Sequence, residues 1–149
     1  MLAISLHLLA AVIWVGGMFF AYMALRPAAG FLEPSMRLTL WSLTFKRFFP
    51  WVWASAITLF ATGFWLIQLY GGMAAVGPHV HIMLLIAIIM ILMFMHVFFA
   101  PTKRLARAVE NQDWAAGAKD LNQIRLLISI NLILGIIVTI VGSAGQYYL

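Results

Sequence analysis

Four histidines stand in or beside long apolar runs: His7, His79, His81 and His96. His7 opens the stretch HLLAAVIWVGG, with Trp14 seven positions on and Met18 eleven positions on. In a helix those offsets put all three on one face. Gly17 lies near that stripe and leaves a gap where a ring or another backbone can approach. Imidazole is the commonest metal ligand. Two imidazoles that face each other across a bundle can clamp a planar b-type haem. Imidazole with thioether suits copper. Ionisable groups inside apolar spans are costly and by default functional. The plain alternative is a neutral histidine bonded to a neighbouring helix.

The elements that must position these rings follow from hydropathy. Of the 149 residues 65% are hydrophobic and only 9% charged, with a mean hydropathy of +1.04; soluble domains carry about 25% charged residues. A spanning helix needs roughly 20 mostly apolar residues. Four stretches qualify, at residues 2–25, 48–70, 80–100 and 126–148. Backbone polar groups in lipid must be satisfied internally, so four runs mean four helices. The expected fold is all-α, an integral membrane four-helix up-down-up-down bundle forming one transmembrane domain over residues 1–149. The first run lacks a basic leader and is too long for a signal peptide core, so it reads as a retained helix.

The net charge of +5 is explained by topology rather than by nucleic acid. All nine Lys and Arg fall at or between the ends of spans one and two or between spans three and four, while the 71–79 loop has no charged residue. The positive-inside rule puts loops 26–47 and 101–125 in the cytoplasm and both termini on the other side. The basic residues then contact anionic lipid. Pro27, Gly30 and Pro34 break the first loop, and Pro50 is expected in the first turn of span two. The second loop reads as a short interfacial helix with Leu105, Val109 and Trp114 towards lipid, then a new turn opening near Asp113.

His7 lies about five residues into span one, and His81 two or three into span three. Both are then within roughly 3–8 Å of the outer ends of their helices. Spans one and three are expected to face each other across the core, so His7 and His81 are candidate axial ligands, with Trp14, Gly17 and Met18 lining the pocket. His96 is a further metal candidate deeper in span three, and His79 and Met83 are additional donors at its outer end. A His96–Asn131 hydrogen bond is expected from their similar depth. The other methionines read as packing residues. Gly135 and Gly142, a heptad apart, suit close helix packing within the bundle or with a partner.

Absences narrow the chemistry. There is no cysteine, so thiolate metal sites and iron–sulfur clusters are out. The four carboxylates, Glu33, Glu110, Asp113 and Asp120, all lie in the basic loops. No Ser–His–Asp or two-carboxylate arrangement is evident, and no intramembrane acid marks a proton-coupled transporter.

The stretch His7 to Gly17, with His, six residues, Trp and then Gly, resembles the first helix of the CopD-like membrane superfamily. That group includes the copper-resistance D proteins and the HemJ-type protoporphyrinogen oxidases. Phe45-Lys46-Arg47-Phe48-Phe49 resembles the basic-aromatic entry to the second helix of CopD proteins. His79 to Met83, with the later His96, is similar to the HemJ third helix, except that Met83 stands where HemJ has Lys. The resemblance implies four membrane helices, with haem b in the HemJ branch and copper handling in the CopD branch. His7 would match the first-helix haem ligand and His81 the third-helix histidine.

The leading expectation is a haem-b membrane protein of electron-transfer or oxidoreductase type, working with a quinone or a periplasmic redox partner. The alternative is copper binding or transport by His7, His79 and His81, with Met83 as an additional donor and His96 as a lower station. A structural or assembly subunit is the third reading. The expected setting is the bacterial inner (cytoplasmic) membrane, and a homo-oligomer is among the expected partners.

Overall fold

The computed structural model describes residues 1–148. Helix α1 spans Leu2–Ala29. α2 is Pro34–Leu69, α3 is Pro78–Phe99, α4 is Pro101–Glu110 and α5 is Trp114–Tyr148. Among the described residues there is no strand, and α1, α2, α3 and α5 are each long and apolar enough to cross a membrane. Short connections make consecutive spans antiparallel, as expected. Prolines begin three of the helices, where a missing N–H costs nothing: Pro34, Pro78 and Pro101.

The turn after α2 shows why the uncharged loop can be short. Gly71 and Gly72 both have positive φ, +97° and +89°. Gly72 N–H donates to Ile67 O and Gly71 N–H to Gln68 O. That pattern closes the helix with its last carbonyls satisfied.

Within the bundle α1 packs chiefly on α2, and α3 on α5, while α5 also touches α1 and α2. Buried positions follow helical spacing. On α1 they are Ala3, Ala10, Trp14, Met18 and Ala21. On α2 they run Leu38, Trp41, Phe45, Phe49, Val52 and Ala56. Aromatic rings fill the centre: Phe94 of α3 meets Trp14, Phe49 and Trp53 edge-on at 6.1, 5.3 and 5.1 Å between centroids. Glycines let the spans close. Gly135 of α5 receives Val15 and Met90, and Gly142 receives Met83, so both serve packing inside the bundle. The outer surface carries Leu85, Ile88, Leu92, Ile133, Ile137 and Ile140 exposed, an apolar belt suited to lipid.

Three expectations about the basic end are corrected. The 26–47 loop is mostly helix, whereas in 101–125 the expected short helix is present at Pro101–Glu110 and the turn at Asp113 opens into the long α5. α2 and α5 have 36 and 35 residues, or about 50 Å at 1.5 Å per residue, against a hydrocarbon core of about 30 Å. They continue beyond the apolar runs because α4 packs between them: Leu38, Trp41, Leu105, Leu121 and Ile124 are all buried. Leu105 is fully buried and so does not face lipid. Pro50 lies inside α2 rather than in its first turn. It removes one ladder bond, to the Lys46 carbonyl, in a helix that its neighbours hold together. The turn near Asp113 is as expected: its carboxylate accepts the Ala116 N–H at 3.1 Å, an N-cap for α5.

Candidate metal-ligating histidines

At the uncharged end His7 is half-buried in the seam between α1 and α2. Its Nδ1 lies 2.8 Å from the Thr62 hydroxyl oxygen. That hydroxyl is 2.6 Å from the Thr58 carbonyl. A carbonyl only accepts, so the hydroxyl hydrogen must point at Thr58. The Thr62 oxygen can then only accept from His7, which assigns the proton to Nδ1. Nε2 keeps its lone pair. The ring also rests on Gly63, where an added Cβ would stand 3.4 Å from Cε1. A small residue and a hydroxyl one position apart thus seat and orient the imidazole.

His81 repeats the logic from its own helix. It is exposed, and its Nδ1 lies 3.2 Å from the Gly77 carbonyl. The proton is again on Nδ1, and Nε2 is free. His79 is partly buried against Gly77, and its Nδ1 is buried with no partner. Met83 turns away from these rings: its thioether packs on the Gly142 position of α5.

The structure does not join His7 and His81 through a shared partner. His7 is held by α2, and His81 by the first turn of α3. Trp14 and Met18 are both 3% exposed and sit in the aromatic core. The gap expected at Gly17 for a porphyrin is occupied, because an added Cβ there would overlap the Phe48 ring. A void beside Trp14, Met18, Phe48 and Asn131 measures about 20 Å³, room for one water and not for a haem. The residues present therefore do not fit haem b between spans one and three.

His96 also differs from expectation. It bonds Gln123 and not Asn131. The Gln123 Oε1 accepts from Arg104 at 2.8 Å, so its amide NH₂ faces His96 Nε2 at 3.4 Å and donates to it. The Nε2 lone pair is used. Arg104 continues the chain to Asp120 at 2.8 Å, tying α3, α4 and α5. Asn131 instead donates to the Met90 carbonyl at 3.3 Å, because the rotation of α5 points it at the α3 backbone. Among the described residues, no three His, Cys, Asp or Glu side chains come together as a metal cage.

Sequence reasoning missed Thr62, Gly63 and Gln123. A Thr-Gly pair seven residues before the end of span two, level with His7, was the available signal for the first two.

No curated protein and no solved structure gives a significant match to the chain. The family model for copper resistance protein D matches residues 42–144, which is more than half of the 149 residues. It takes in Thr62, His79, His81 and His96 and begins after His7 and Trp14. The HemJ-type branch of the expected resemblance receives no such support. With four apolar helices and this match, the chain is an integral membrane protein that belongs to the copper resistance protein D (CopD) family.

Proposed function

We propose that the protein binds copper ions as cargo at the uncharged end of its bundle, with His7 Nε2 and His81 Nε2 as separate donors that are not gathered into one cage. The observation that carries this is the shared tautomer. In His7 and His81 the Nδ1 hydrogen is spent on a protein acceptor, 2.8 and 3.2 Å away. Each ring is thereby held with Nε2 available, the arrangement in which a hydrogen bond to one ring nitrogen orients the other for a metal. The family match supports copper in particular. Imidazole nitrogen is a ligand that suits copper among the transition metals. By the positive-inside rule this end faces away from the cytoplasm, towards incoming metal.

The test is competition for Cu(I) against a chromophoric chelator, using detergent-purified protein, wild type and His7→Ala. The expected result is about one copper per chain with loss of binding in the variant. His81→Ala should weaken binding less. Wild type that fails to compete, or His7→Ala that competes equally well, would overturn the proposal. An optical spectrum of the same sample tests for haem, since bound haem gives a Soret band.

A further inference from the structure

At the opposite, basic end lies a cavity of about 360 Å³ lined by Tyr22, Arg26, Pro27, Gly30, Arg37 and Arg125. Three guanidinium groups from three helices border one space, and no carboxylate lines it. Among the described residues the one ion pair is Arg104–Asp120, which leaves these three arginines out. Like charges at such range repel, and the repulsion grows as water is excluded. A cluster of this kind is relieved by an anion.

The guanidiniums are also oriented. The Arg26 Cζ lies over the Tyr22 ring at 4.8 Å and the Arg125 Cζ over the Trp41 ring at 5.6 Å. A guanidinium held over an aromatic face keeps N–H groups for another acceptor. The Arg125 Nε is buried with no acceptor, an unmet donor in a residue that lines the cavity. Tyr22 and Arg26 are set by a π-helical turn at Ala21–Leu25, where the Arg26 N–H reaches back five residues to Ala21. Such turns interrupt α-helices frequently at functional places.

We infer that this cavity is a phosphate-binding site. A tetrahedral anion with several oxygens matches three forked donors better than a single carboxylate does. Arg125 directly precedes the apolar run of α5, so the cavity sits at headgroup level, where basic pockets between spans take up anionic lipid. The phosphate comes either from a phospholipid headgroup or from a soluble phosphate. The site is independent of the copper proposal and lies at the other end of the bundle.

The test uses the delipidated full chain in neutral detergent. Native mass spectrometry follows retention of phosphatidic acid, phosphatidylglycerol and phosphatidylcholine. Thermal shift follows inorganic phosphate against chloride at equal ionic strength. Wild type is compared with Arg37→Gln and Arg125→Gln, and with Arg107→Gln on α4, which lies outside the cavity lining. Wild type should bind an anionic lipid or phosphate, and each cavity variant should lose about tenfold or more in apparent affinity. Arg107→Gln should not. Retention of anionic lipid that inorganic phosphate does not displace identifies the headgroup as the source; stabilisation by inorganic phosphate alone identifies the soluble anion. If Arg125→Gln does not fold, Arg37→Gln, nearer the surface end of α2, carries the comparison. Absence of both kinds of binding, or equal loss in Arg107→Gln, would overturn the inference and leave only diffuse attraction.

Discussion

His7 Nδ1 and the Thr62 hydroxyl lie 2.8 Å apart across the seam between α1 and α2. That one bond fixes three things at once. It sets the rotation of the first helix against the second, the tautomer of the ring, and the nitrogen left for a ligand. A threonine that already gives its hydrogen to Thr58 can do this, whereas a serine or valine changes either the rotamer or the acceptor.

Thr62→Val keeps the shape and removes the acceptor. Copper affinity should fall about 10- to 100-fold, as when a metal-ligating histidine loses its orienting partner. The fold should survive, since the Thr58 carbonyl keeps its place in the helix. Chelator competition and circular dichroism on one sample read both effects. Unchanged affinity would detach Thr62 from the site.

Gly17→Ala should destabilise the α1–α2 seam by about 1–3 kcal/mol, because the new methyl meets the Phe48 ring. Phe48→Leu in the same chain should recover much of the loss, since the two changes share one contact. Thermal melts in detergent of the two single variants and the double decide it; purely additive losses would refute the contact.

Leu105→Ala separates a buried α4 from a lipid-facing one. Leu105 is fully buried between α4 and its neighbours, so truncation should cost about 2–5 kcal/mol and expose the 101–110 segment to proteolysis. A lipid-facing leucine would give almost no change in melting temperature.

Asn131→Leu should leave stability unchanged within about 0.6 kcal/mol, or raise it. Interhelical polar bonds in membranes average about that much, the bond to Met90 is long at 3.3 Å, and Asn131 Oδ1 is buried without a donor. Leucine would remove that orphan and reach into the adjoining void. A large drop in melting temperature would mean that Asn131 organises more than this one contact.

Much of the fold was legible along the chain, and less of the site. The four apolar runs and the charge-free 71–79 loop were readable because lipid tests each helix on its own, residue by residue. The spread of helix through 34–47, and the unbroken run of the helix that opens near Asp113 into span four, were not. These polar segments are held helical because Leu38, Trp41, Leu121 and Ile124 find Leu105 to bury against. His7 stood out as a candidate from the sequence, but its partner did not.

The sequence by itself determined that the chain is helical, that it fills a membrane four times, which end is basic, and which few side chains have lone pairs to offer. These depend on composition and on spacing within one helix. Tertiary structure decided that His7 turns to Thr62, that His96 turns to Gln123 and not Asn131, that Phe48 fills the gap at Gly17, and that three arginines surround one cavity. Each depends on how far a helix is rotated about its axis and which neighbour it lies against. At about 100° per residue, a rotation too small to alter any hydropathy pattern redirects a ring from one partner to another.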